Sequence, residues 1–203
     1  MGYSDLYHSH YTASHRDAGQ AGSALTGTVA AGLAANGVVW SLRYPESTVM
    51  PSASPLARRM YVQRIHVQYV TGTSYTTPVT LGRHLKLVRA TANTGTSNPS
   101  GGAAYTMVRK RSDGTETLAV GRVATTGALT TTGFTLGEPL QRLVLSQAGD
   151  SGAAYDEAWR FDGIEADPLI LLPGQALFIA AGALFDAAGT FELNVDVDAV
   201  EVP

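Results

Sequence analysis

The chain has no cysteine among its 203 residues, which excludes disulfides and thiolate metal ligands and leaves stability to the core and to contacts between subunits. Such a composition leans towards synthesis in a cytosol. Charge is scarce too. Asp, Glu, Lys and Arg make up 15% of the chain, against roughly 25% in an average soluble protein. With a formal net charge of -3, the chain lacks the basic footprint that electrostatic nucleic-acid binding requires. There is no apolar run of about 18 residues, the length that marks a membrane-spanning helix. The stretch Met1-Gly2-Tyr3-Ser4-Asp5 has neither the basic start nor the apolar core of a secretory signal, so neither membrane insertion nor Sec export is expected. Gly2 invites N-myristoylation, but the position that must be Ser or Thr is Leu6, and that reading is discarded.

What is present points to β structure. A chain of this length suits a single all-β core. Residues 1–36 are rich in Gly, Ala, Ser, Thr and His, with apolar residues too few and too small to sustain a period, and they are expected to form an extended arm outside the core. Residues 24–35 are at most a short helix, weakened by Gly27 and Gly32 at about 1 kcal/mol each. The remainder, 37–203, is expected to be one domain.

From Val38 onward, β-branched and aromatic runs alternate with Gly, Pro, Asn, Asp and Ser clusters, the pattern of a sandwich or barrel. Strands are expected over 38–44, 61–70, 83–90, 105–110, 118–125, 133–136, 140–147, 157–162, 169–172, 175–181 and 190–202. In 61–70, Ile65, Val67 and Tyr69 alternate with Arg64, His66 and Gln68, so one face is buried. Asp113-Gly114 has the composition of a type I′ hairpin turn. Phe191, Leu193, Val195 and Val197 alternate with Glu192, Asn194, Asp196 and Asp198, after which Val200 and Val202 stand in the opposite phase. A β-bulge near Asp198-Ala199 repairs the slip. The run 169–172, between Pro168 and Pro173, reads as a strand buried on both faces. No helix of useful length fits between strands, so antiparallel sheets follow. The expected fold is an antiparallel two-sheet β-sandwich, jelly-roll-like.

Chemistry is harder to find. Gly149-Asp150-Ser151-Gly152 resembles the nucleophile string of chymotrypsin-like proteases, whose mechanism needs a His base, an orienting Asp and an oxyanion hole. His8, His10 and His15 precede every strand that could begin such a barrel, His66 and His84 fall mid-strand, and the string has Ala153 where a second glycine is usual. A solvated turn explains it better. The row Glu192, Asn194, Asp196, Asp198 offers oxygens to Ca²⁺, but alternate residues of a strand are about 6.6 Å apart and do not converge on one ion. A solvated outer face is the simpler account, with Lys or Arg of a neighbouring subunit as an intermediate one. His8, His10 and His15 with Tyr7 and Tyr11 lack a carboxylate or cysteine at a ligand spacing. Arg58, Arg59, Arg64, Arg109, Lys110 and Arg111 are too dispersed for a nucleic-acid footprint and read as surface or interface charges. Trp40, Tyr44, Trp159 and Phe161 lie within strands and read as core rather than as a sugar platform. The loops 91–103 and 148–154 suit surface recognition better, though they contain no aromatic stacking platform. No catalytic residue, cofactor or metal is assigned.

The stretches Val39-Trp40-Ser41-Leu42-Arg43-Tyr44, Thr77-Pro78-Val79-Thr80-Leu81-Gly82-Arg83, Leu172-Pro173-Gly174-Gln175-Ala176-Leu177 and Asp186-Ala187-Ala188-Gly189-Thr190-Phe191-Glu192-Leu193 resemble small virion proteins of tailed bacteriophages. The resemblance implies a jelly-roll capsid decoration or cement protein. It further implies a homo-oligomer, with a trimer favoured, bound to the major capsid protein or other virion proteins after synthesis in the host cytoplasm. The alternative expectation is a head or tail fibre module recognising host-surface carbohydrate.

Overall fold

A computed structural model of the chain describes residues 9–14, 29–30, 33–45, 59–80, 82–94, 97–105, 107–109, 119–145, 152–161 and 169–202. Among these residues there is no helix, and so none long and apolar enough to cross a membrane. The strands are β1 (Ser9–Ser14), β2 (Val29–Ala30), β3 (Val38–Arg43), β4 (Arg59–Thr73), β5 (His84–Ala92), β6 (Ala103–Tyr105), β7 (Val108–Arg109), β8 (Val120–Val123), β9 (Phe134–Val144), β10 (Ala154–Arg160), β11 (Leu169–Leu171), β12 (Gln175–Ala181) and β13 (Thr190–Val202). One sheet runs β10-β4-β13-β1-β7, with β11 also on β4 and β2 also on β13; the other runs β6-β8-β3-β12-β5-β9. Every pairing between these strands is antiparallel. The protein is an all-β sandwich.

Alternation builds the core. Ile65, Val67 and Tyr69 of β4 stand opposite Val197, Val195 and Leu193 of β13, and all six are buried. Across the interior, Trp40 and Leu42 of β3 pair with Ile179 and Leu177 of β12, again fully buried. Each such side chain contributes about 1.5–3 kcal/mol by leaving water. One hydrogen bond joins the sheets through this core, from the Tyr44 hydroxyl to Glu201 Oε1 at 2.6 Å. A strand buried on both faces does occur, in β12, where Ala176 to Ala181 are all 0% exposed, and again in β3, buried from Val38 to Arg43. The expectation had placed it at 169–172, but β11 is only three residues long, pairs with β4 alone, and is followed by Leu172 at 36% exposure.

Five further expectations are corrected. Residues 1–36 are not simply an arm outside the core: β1 lies between β13 and β7 in the sheet, β2 pairs with β13, and Leu33 is buried and bridges to Phe185. Position 29–30 is strand, not helix. The register does shift at Asp198/Ala199, but the surplus residue is on the partner strand. Asp198 pairs with Arg64 and Ala199 with Val62, so Gln63 is the extra residue. The phase slip belongs to β4, whose buried rows are Met60 and Val62 on one side of it and Ile65, Val67 and Tyr69 on the other. On β13 the alternation continues through Ala199, while Val200 is buried as well at 6% exposure. The two strands expected at 133–136 and 140–147 are one, β9, which crosses Gly137-Glu138-Pro139 with register shifts against β5. Finally, 105–110 divides between sheets, with Tyr105 in β6 and Val108 in β7. The turn at Asp113-Gly114 lies outside the described residues.

Candidate functional site

The densest polar grouping lies on the outer face of the seven-stranded sheet. There the row Arg64, His66, Gln68 of β4 meets Asp198, Asp196, Asn194 of β13 rung by rung. Arg64 Nη2 is 2.9 Å from Asp198 Oδ2, and the Asn194 amide donates to Gln68 Oε1 at 3.0 Å. His66 sits between two carboxylates. Its Nδ1 is 3.4 Å from Asp196 Oδ2, and its Nε2 contacts Asp156 Oδ1 of β10. Asn194, Asp196 and Asp198 of the acidic row therefore find their partners on β4 within the chain, while Glu192 is exposed and stands opposite Val70. Two carboxylates thus face the two ring nitrogens of His66. Among the described residues, however, no serine, threonine or cysteine joins it as a nucleophile, and no group of three or more His, Cys, Asp or Glu is arranged to hold a metal ion.

A second polar centre is buried at one end of the sandwich. Arg83, 1% exposed, reaches Asp186 Oδ2 at 3.0 Å, donates to the Thr77 carbonyl, and places its guanidinium 4.4 Å from the centre of the Tyr75 ring. Asp186 accepts from the backbone N–H of Thr77 at 2.7 Å and of Ala188 at 3.1 Å. Desolvation pushes the Asp186 carboxyl up, but the N–H groups of Thr77, Ala188 and Thr76, with the Arg83 charge, outweigh it and hold the group below the usual carboxylate value. Tyr75 packs edge-on to Phe185 with ring centres 5.4 Å apart, and Tyr69 stacks on Phe191 at 5.0 Å. Burial pushes both tyrosine hydroxyls up, offset at Tyr69 by its bonds to Tyr75 and Thr71 and reinforced at Tyr75 by Tyr69. These are neutral structural donors.

The four stretches that carry the phage resemblance meet in two pairs. Thr77 and Arg83 from the second bind Asp186 from the fourth. Tyr44 from the first exchanges backbone bonds with the third, Tyr44 N–H to Gln175 O at 2.9 Å and Gly174 N–H to Tyr44 O at 2.8 Å. Their residues specify how strands meet rather than a reaction. Nothing in the sequence spacing announces the Arg83–Asp186 contact or the approach of Asp156 to His66, since each joins positions far apart in the chain.

The remaining candidates scatter. Of Gly149-Asp150-Ser151-Gly152 only Gly152 is described, and its φ of 79° with its N–H bound to the Thr71 carbonyl at 2.7 Å marks a turn of left-handed backbone. His8, His15, Arg58, Lys110 and Arg111 lie outside the described residues, while His10 and Arg109 stand on β1 and β7. Trp40, Tyr44, Trp159 and Phe161 are buried, and Tyr105 stacks on Trp40 at 6.2 Å. Part of the loop 91–103 is fastened to the sheet through a hydrogen bond from the buried Arg43 to Asn98. No protein-family model matches the chain, and no curated protein matches it.

Proposed function

We propose that the chain is a non-enzymatic structural protein of a virion, a jelly-roll capsid decoration protein that cements a bacteriophage head through contacts with the capsid and with its own copies. The observation that supports it best is the nesting of the strand pairs. β5 pairs with β9, β4 with β10, β3 with β12 and β1 with β13, the innermost pair first and the chain ends last. Such nesting supports the reading of one long antiparallel ribbon doubled on itself and rolled into two sheets, as in a double Greek-key jelly roll. Such a fold hosts many functions, so the virion reading also leans on the resemblance of the four stretches. Both polar centres support a structural role, because their side chains bind one another and the backbone rather than facing a common reacting atom.

The full chain, mixed with purified capsids lacking it, is expected to co-sediment with them to a saturating stoichiometry and to be silent on a glycan array. A glycan signal without capsid binding would instead favour the fibre module that recognises host-surface carbohydrate.

A further inference from the structure

We infer that β10 is a docking edge for a second copy of the chain, paired antiparallel about a two-fold axis at Ala158. The inference does not depend on the virion reading. β10 ends its sheet, and no described strand pairs with its far side. Its register with β4 is unbroken from Ala154↔Val70 to Arg160↔Arg64, and the bonds Thr71 N–H to Ala153 O at 2.9 Å and Phe161 N–H to Gln63 O at 2.8 Å continue it at both ends. Alternate residues therefore turn their N–H and C=O outward: Ala154, Asp156, Ala158 and Arg160. Seven residues without proline or bulge form an open template, whereas the long strand that ends the other sheet, β9, is interrupted by Pro139 and shifted register, two devices that block pairing.

Charge selects the occupant. Arg160 stands directly opposite Arg64, whose carboxylate partner Asp198 lies on the far side in β13. Like charges facing each other across a ladder are unfavourable. Antiparallel pairing about Ala158 brings Asp156 of one copy opposite Arg160 of the other, twice, and sets the small Ala158 side chains together on the axis. Glu157, on the inner row, then faces Trp159 of the other copy rather than its own counterpart. An inward charge on an edge strand disfavours pairing, which makes the contact weak and reversible. Two-fold pairing is also a different association from the three-fold one that the resemblance implies.

The absence of cysteine supplies the test. Residues on the axis would have Cα atoms about 5.5 Å apart, within the span of a disulfide of roughly 4.4–6.8 Å. Mild oxidation of the Ala158→Cys full chain is expected to give a reductant-sensitive dimer of twice 21.3 kDa. Ala154→Cys, whose two Cα atoms would lie about 27 Å apart, is expected to give no cross-linked dimer, and adding Arg160→Glu to Ala158→Cys should cut the cross-linked dimer yield at least fivefold. Both cysteine sites are exposed, and thermal melts matching the parent chain establish folding. A monomeric oxidised Ala158→Cys, equal cross-linking of both variants, or a three-fold mass by light scattering would overturn the inference. Failure of capsid binding would leave it standing.

Discussion

The Arg83–Asp186 pair offers the sharpest test of what holds the sandwich together. Asp186→Asn keeps the size of the side chain and one acceptor oxygen but removes the charge beside a guanidinium that is 1% exposed. Removing one partner of a buried pair costs about 3–5 kcal/mol. The Asp186 side chain is 11% exposed, and Arg83 keeps the Thr77 carbonyl and the Tyr75 ring, so the lower end applies: about 3 kcal/mol. In a domain of this size that lowers Tm by about 6–12 °C. The assay is urea and thermal unfolding followed by tryptophan emission, since Trp40 and Trp159 are both buried. Arg83→Met strands the carboxylate instead, and the double variant is expected to cost at least 1 kcal/mol less than the two single costs combined. Additive costs, or an Asp186→Asn penalty below about 1 kcal/mol, would refute the reasoning that the pair is a coupled unit. The sign of the pH dependence follows from the lowered Asp186 value. Its stabilisation is fully present above the unfolded carboxylate value of about 3.9 and is lost as pH falls through the lower folded value. The gap between the parent chain and Asp186→Asn should therefore close as pH drops below about 4.

Three further outcomes are expected. Gly121→Ala puts a methyl group into the Tyr105 ring, which is stacked on Trp40, and should cost about 1–3 kcal/mol in denaturant titration; an unchanged midpoint would count against that packing. Deleting Gln63, the surplus residue, places Met60, Val62, Ile65, Val67 and Tyr69 in one unbroken alternation opposite β13, so the purified chain should keep its cooperative unfolding transition, and loss of that transition would count against Gln63 as the extra residue. Removing residues 1–36 takes away β1 and β2 along β13, and the remainder is expected to show fast amide exchange across β13, where a dispensable arm would leave that exchange unaltered.

How much of this was visible in the sequence depended on whether the side chains carried the signal. β12 and β13 were found with their observed ends because their own alternation or apolar run defines them. β1 was missed because Ser9-His10-Tyr11-Thr12-Ala13-Ser14 has no apolar row, and its place is given by backbone pairing with strands from elsewhere in the chain. The bulge was located by its effect on phase yet assigned to the wrong strand, since a register shift is a property of two strands and one sequence shows each alone. Residues 137–139 fall between two expected strands, whereas β9 passes through them as the edge strand of its sheet, with register shifts against β5, a setting in which proline is tolerated. In the candidate site the acidic row was recognised, but its partners Arg64, His66 and Gln68 were known only as the polar face of another strand. Which row faces which is decided by topology.

The doubled ribbon also has a consequence in time. The pair β5 and β9 can close once Val144 has been made, but β13 must be made before Ser14 can meet Asp196, so β1 waits for β13. Closing contacts between the two ends of a chain carries a large loop entropy and places folding in the slow, non-local regime of about milliseconds to seconds. During that wait β4 lacks β13, and the nascent protein exposes the long edge that completion covers. Completion of β13, rather than any local step, sets when the sandwich becomes whole.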